Sequence, residues 1–199
     1  MNIRNLTGHK LPTGYPSRRV WVHLSVRDAS GAIVFESGAV DAQGRIAGND
    51  NDADPKRFEP HYEEIRGGDQ VQIYEAVIAG RDGAVTTGLL TATQYVKDNR
   101  LLPRGFDKAK ADPDIAVHGD AAQDASFRGE GDRLRYNVPV KGSGPFTVEA
   151  ELRYQPISFR WADNLRGYKA AEPQRFVSYY DAMAAASSTV LVRATAVLR

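Results

Sequence analysis

The sequence predicts a mainly β fold: an antiparallel β-sandwich with long loops and one C-terminal helix, occupying residues 1–199 as a single domain. Three observations predict it. Val20, Val22, Leu24 and Val26 alternate with Trp21, His23 and Ser25 in the clearest strand of the chain. Val148, Ala150, Leu152 and Tyr154 alternate in the same way with Glu149, Glu151 and Arg153. No succession of strands with helices occurs, which argues against a doubly wound sheet.

The remaining elements follow in order. Asp28-Ala29-Ser30-Gly31 is a turn, and 32–37 reads as the return strand of a hairpin. Residues 41–60 are polar and acidic, a loop long enough to suggest a functional role. Residues 70–77 alternate again, 81–84 turn, and 85–93 is expected to pair back. Residues 95–107 read as an irregular, braced connection, and 109–131 as a polar stretch with one short helical turn. Residues 132–138 form a strand, Gly142-Ser143-Gly144-Pro145 a turn, and 146–154 the second strong strand, with its acidic residues and Arg153 facing water. The helix opens at Glu172-Pro173-Gln174-Arg175, since Pro is tolerated in a first turn. Its expected apolar face is Phe176, Tyr179, Tyr180 and Met183. Residues 188–194 close the chain as a strand.

Composition bounds the function. The 199 residues carry a formal charge of +1, with 42% apolar and 26% charged residues, so they suit a globular core and offer no basic surface for nucleic acid. There is no cysteine, which excludes disulfides, thiolate metal sites and cysteine nucleophiles. No apolar run is long enough to span a membrane, and no signal pattern opens the chain. Met1-Asn2-Ile3-Arg4 leads abruptly into a motif loop, as expected of a piece of a longer protein. Phosphate loops, dinucleotide fingerprints and the nucleophile elbow are all missing.

Three constellations carry chemistry. The first is His9, in Asn5-Leu6-Thr7-Gly8-His9-Lys10-Leu11-Pro12-Thr13-Gly14, where Gly and Pro brace the loop. An imidazole held this way is a good axial ligand to haem iron; the plainer reading is a loop His that bonds its own turn. The second is Asp50, Asp52 and Asp54, whose alternation matches the first EF-hand ligands, although Pro55 and His61 stand where that loop needs Gly and Glu. An irregular calcium site with Glu59 or Glu63 remains open beside a solvated acidic loop. The third is Glu59, His61, Glu63 and Glu64, a His flanked by carboxylates that suits a transition metal or a general base. His23 and His118 lie far off in sequence. Tyr154, Phe159, Trp161 and Tyr168 suit either a sugar-binding face or a core, and Asn5-Leu6-Thr7 matches a glycosylation triplet.

The His9 loop resembles the Gly-His-Lys-x-Pro-Thr-Gly loop of multihaem c-type cytochromes. The strand that follows it, the Asp28–Gly31 turn, Phe58-Glu59-Pro60-His61-Tyr62, Gln72-Ile73-Tyr74-Glu75 and Asp98-Asn99-Arg100-Leu101-Leu102-Pro103 look like the same module, and Tyr154-Gln155-Pro156 extends it. The resemblance implies a haem-free, β-rich C-terminal domain whose His9 caps a haem c carried upstream, with Arg18 and Arg19 available to haem propionates. From their chemistry alone, Arg18, Arg19, Arg100 and Arg104 suit either solvent and ordinary ion pairs or the carboxylates of a haem. The departure is the absence of Cys-x-x-Cys-His, so haem cannot be attached to this chain. The partners so implied are the upstream haem-binding domain and a redox protein, in a periplasmic or extracellular setting. The alternatives are a calcium-supported adhesion or carbohydrate-binding module and a small mononuclear metal enzyme built on His61.

Overall fold

The computed structural model describes residues 1–199. Strands β1 (Asn2–Arg4), β2 (Arg19–Arg27) and β3 (Ile33–Ser37) lead to a short helix, α1 (Asp50–Ala53). There follow β4 (Glu64–Ile65), β5 (Ile73–Ala79), β6 (Val85–Thr86) and β7 (Gln94–Asp98), then β8 (Gly131–Arg133), β9 (Arg135–Tyr136) and β10 (Phe146–Gln155). Helices α2 (Phe159–Asn164) and α3 (Ala171–Met183) precede the last strand, β11 (Thr189–Leu198). The mainly β, antiparallel architecture with a C-terminal helix is the predicted one.

The main sheet has seven strands, ordered β11-β10-β2-β5-β6, with β3 also on β2 and β7 also on β5. β2 is shared along its length. Its first residues pair with β5, from Arg19↔Glu75 to Trp21↔Ile73, and its last with β3, from Leu24↔Ser37 to Arg27↔Ile33. The second layer consists of two short ladders, antiparallel β1-β8 and parallel β4-β9. The predicted alternation of β2 explains the division. Val20, Val22, Leu24 and Val26 bury against Ile3, Ile65, Leu134 and Phe127, while Trp21 faces the opposite way onto Ile46, Val71 and Ile73. The Trp21 indole N–H donates to Gly38 O (2.9 Å). Gly38 has φ +80° and sits so close to β2 that a Cβ would stand 2.4 Å from Val22 O, so only glycine fits there.

Several expectations change. Residues 94–98 form β7, because the ladder to Ala76–Ala79 overrides the irregular local sequence. Residues 132–138 are split between β8 and β9, which belong to different ladders. The stretch 109–131 holds two short 3-10 turns, at 113–115 and 120–122. α3 buries Val177, Tyr180 and, just beyond it, Ala184, while Tyr179 and Met183 are exposed, so its buried stripe is rotated from the expected face. Glu151 does not face water: it is buried, and Arg153, Arg193 and His23 surround its carboxylate. Burial would raise its pKa, but these three partners bring it down to about 2.

Candidate functional site

The His9 loop is a surface loop on a buried frame. Asn5 is 1% exposed. Its amide N–H groups donate to His9 O (2.8 Å) and Leu101 O (2.9 Å), and its Oδ1 accepts the Thr7 backbone N–H (3.0 Å). This is an Asx turn, which fixes a loop through its own side chain. The buried Asn5 is therefore a brace and not a glycan acceptor, which corrects the triplet reading. Leu11 and Leu101 exchange backbone hydrogen bonds (3.0 and 2.9 Å). The Lys10 ammonium donates to Asp98 Oδ2 (2.8 Å) and Ala116 O (3.2 Å).

On this frame the imidazole of His9 is exposed. Its Nδ1 lies 2.9 Å from Lys10 O. A carbonyl only accepts, so Nδ1 carries the proton and donates. Nε2 then keeps its lone pair, has no partner within the protein and faces solvent. A metal-ligating His characteristically donates its other ring nitrogen to a carbonyl or carboxylate, and His9 has that arrangement. Leu6, on the same loop, is 73% exposed. Arg18 is half-buried and donates through one nitrogen to Thr13 O and Thr13 Oγ1, with its remaining N–H groups open. The donor set therefore fits a haem iron presented from outside the chain.

Arg19 does not belong to this surface. It is 1% exposed; its guanidinium donates to both Asp52 oxygens (2.9 Å each), Gln155 Oε1 (2.7 Å) and Gly44 O (3.1 Å). Four of its five N–H groups are engaged and the guanidinium is buried beyond reach of a propionate, so its assignment to cofactor binding is corrected. The same ion pair dissolves the expected calcium loop. Asp52 points inward to Arg19, Asp50 pairs with Arg57 (2.6 Å), and Asp54 Oδ1 accepts the Lys56 N–H (2.9 Å). The alternation that mimics an EF-hand lies on and beside α1, where successive side chains diverge. Arg100 is likewise taken up by Asp98 (2.8 and 2.7 Å), whereas Arg104 is exposed and contacts Glu130 through Nε alone (2.9 Å).

Glu59 and His61 also part company. Glu59 is buried and accepts the Tyr62 hydroxyl (2.7 Å), and burial pushes its carboxyl up to about 7. His61 turns to Asp124 and Asp132, with one ligand-type atom from each of the three lying within 4.8 Å of the others. Hydrogen bonding argues against a metal there. Gln72 Oε1 accepts the Tyr62 N–H (2.8 Å) and Asn99 Oδ1 the Glu75 N–H (3.0 Å), so both amide NH2 groups are turned toward His61 Nδ1, at 2.8 and 3.1 Å. Nδ1 is thus an acceptor, the ring proton sits on Nε2, and Nε2 donates to Asp124 Oδ2 (3.1 Å). Metal ligation through Nε2 would place the proton on Nδ1, against two N–H donors. Burial holds the His61 pKa down for the same reason that the network is closed. Asp132 accepts the Tyr74 hydroxyl (2.7 Å) on Oδ2, its Oδ1 has no partner, and burial raises its pKa.

Of the other histidines, His23 is occupied and His118 is half-buried. His23 contacts Glu36 (2.9 Å) and Glu151 (3.4 Å), and His118 Nε2 is buried without a partner. Trp161 packs against Tyr15 in a tilted contact (centroids 5.5 Å apart, planes at 60°) and lines a cleft of about 370 Å³ with Tyr168, whereas Tyr154 packs against the main core.

The structure draws the motif segments together. Lys10 and Leu11 bind the 98–101 segment, and the Asn99 amide donates to Ile73 O (2.8 Å) and reaches His61. Gln72 binds both His61 and Tyr62, and Ser17 donates to Pro156 O (2.9 Å). Residues 7–14, 58–62, 72–75 and 98–103 therefore form one hydrogen-bonded unit. Sequence reasoning missed Asp124 and Asp132, and it named Asn5, Gln72 and Asn99 within motif segments without giving them these bracing roles. Only Asn5 carries a local signal, since Asn followed two residues later by Thr is also an Asx-turn pattern.

No protein-family model matches the chain, and no curated protein matches it. Among solved structures there is a weak likeness, at a TM-score of 0.45 and 16% identity, to a penta-haem cytochrome c552 from Thermochromatium tepidum. The likeness covers 99% of this chain and 34% of that one, so the chain spans about a third of that cytochrome's length.

Proposed function

We propose that this chain is a haem-free accessory domain of an extracytoplasmic multihaem c-type cytochrome, in which His9 supplies the distal ligand to a haem held by the upstream part of the same protein. The observation that carries the reading is the state of His9: Nδ1–H is anchored on Lys10 O, Nε2 is free, and the ring is exposed on a loop braced by Asn5. The resemblance of the loop to the multihaem family supports it from the sequence side. A haem bound there would supply reversible one-electron chemistry. The residues of this chain would bind and orient. His9 would ligate, and the Lys10 carbonyl would hold the ring's tautomer and direction. The open N–H groups of Arg18 suit a carboxylate at its edge. The periplasmic or extracellular setting and a redox partner follow from the same reading, because c-type haem is attached outside the cytoplasm.

The test uses a five-coordinate c-type haem peptide as the probe. The Nε2 of His9 is unengaged on an exposed ring, so titration with this chain is expected to give the Soret shift of a six-coordinate, low-spin haem. His9→Ala is expected to abolish the shift, while His23→Ala and His118→Ala keep it. Equal titrations of the parent chain and His9→Ala would overturn the reading.

A further inference from the structure

All ten residues of β11 are exposed, on both faces of the sheet. Seven of the ten are Val, Leu or Ala. Val192, Val197 and Leu198 are each more than half exposed (58%, 59% and 56%). One side of β11 pairs with β10, and the other is the edge of the main sheet. Exposed edges of this length are normally blunted by Pro, Lys or a bulge, because their unpaired N–H and C=O groups template another strand. β11 has neither Pro nor Lys. It has one bulge, at Leu191, where the register passes from Arg153↔Val190 to Leu152↔Val192; from Val192 to Leu198 the ladder is regular.

We propose that residues 192–198 of β11 are a dimerisation edge, pairing antiparallel with the same residues of a second copy about a twofold axis at Thr195 and joining two main sheets into one. A twofold interface must be complementary to itself, and this segment is. With Thr195 opposite itself, Val192 falls opposite Leu198 and Ala194 opposite Ala196. Apolar pairs of this kind and a Thr–Thr pair are favourable cross-strand neighbours. Arg193, the single charge in the strand, falls opposite Val197 and not opposite its own copy. Its guanidinium is also drawn back onto β10, to Glu149 (2.8 Å) and Glu151, so it presents no bare charge to the partner.

The second layer supports the same occupant. β1 stops short of β11 and leaves a groove of about 320 Å³ lined by Met1, Ile3, Val22, Leu152, Val192 and Ala194. Opposed side chains in an antiparallel pair share a face, so the partner's Leu198 would sit beside Val192 at the rim of that groove. Strand pairing of seven residues buries less than the about 800 Å² per partner of a standard interface, so the dimer is expected to dissociate in the micromolar range. None of this depends on the role of His9.

The absence of cysteine makes the test direct. Thr195→Cys places one thiol per copy at the axis, and Ser30→Cys places one on an exposed turn far from it in sequence. With a short thiol-specific cross-linker, Thr195→Cys is expected to link about tenfold faster or more than Ser30→Cys, since a dimer raises the effective thiol concentration. Sedimentation of the unsubstituted chain should show a concentration-dependent dimer. Thr195→Lys, which sets two like charges opposite each other on an exposed face, should be monomeric, with the thermal midpoint of the unsubstituted chain at dilutions where that chain is itself a monomer. A monomer at every concentration, equal cross-linking rates, or a dimer that survives Thr195→Lys would each overturn the proposal. A monomer would also be the result if a different protein or domain covers this edge.

Discussion

His9 and His61 stand in two regions of the same hydrogen-bonded unit and have opposite chemistry. At His9 one ring nitrogen is tied to the backbone and the other is open to solvent. At His61 both are engaged, Nδ1 by two amides and Nε2 by Asp124, in a pocket closed by Phe127 (ring centroids 5.0 Å apart). The two rings are equally capable ligands as residue types. What separates them is whether a lone pair is left over after the fold has been satisfied. The carboxylates around His61 look like a metal site by proximity, yet the amides of Gln72 and Asn99 fix the tautomer that withholds the lone pair. Availability decides the ligand, and the donors of neighbouring side chains decide availability.

The comparison can be broken most sharply at His61. His61→Ala opens a cavity beside Phe127 and strands the Gln72 and Asn99 amides and the Asp124 carboxylate. It is expected to cost about 2–4 kcal/mol in urea unfolding. A cost near zero would mean that the pocket is not the rigid frame described here.

Glu59 gives an intermediate effect through pH. Its carboxyl is raised from the usual carboxylate range to about 7 by burial. A raised acid holds its proton more tightly in the folded state. Its contribution is therefore complete below the unfolded value of 4.5 and is lost as pH rises through about 7. The urea midpoint should fall across that window, and Glu59→Gln should flatten the fall, because a neutral amide has no proton to lose. A window unchanged by Glu59→Gln would assign the dependence to another group.

The smallest effect is expected at His9. His9→Ala removes an exposed ring whose Nδ1–H bonds only its neighbour's carbonyl, so stability should change by no more than about 0.5 kcal/mol. A loss comparable to that of His61→Ala would make His9 a structural residue and remove the contrast.

Much of the fold was legible in the chain. The alternation of β2 and β10 announced two strands whose apolar rows pack together, and Val20, Val22, Leu24 and Val26 are all buried on one side. The local punctuation of Asn5 to Gly14 announced a braced loop presenting His9. These are local properties: side-chain period and turn chemistry are set by a few neighbouring residues.

Tertiary structure decided the rest. It sent Arg19 inward to Asp52, so that a residue adjacent in sequence to Arg18 left the surface altogether. It scattered Asp50, Asp52 and Asp54 to three different partners, since ligand spacing along a chain does not fix where side chains converge. It brought Asp124 and Asp132 to His61 from about sixty and seventy residues away and closed the ring with the Gln72 and Asn99 amides. It left β11 bare, although its sequence reads like any buried strand. The sequence by itself determined which segments are strands and which loop carries an imidazole, because those depend on short-range periodicity. Whether each polar group is free, paired or enclosed depends on contacts across the whole chain, and only the assembled fold settles them.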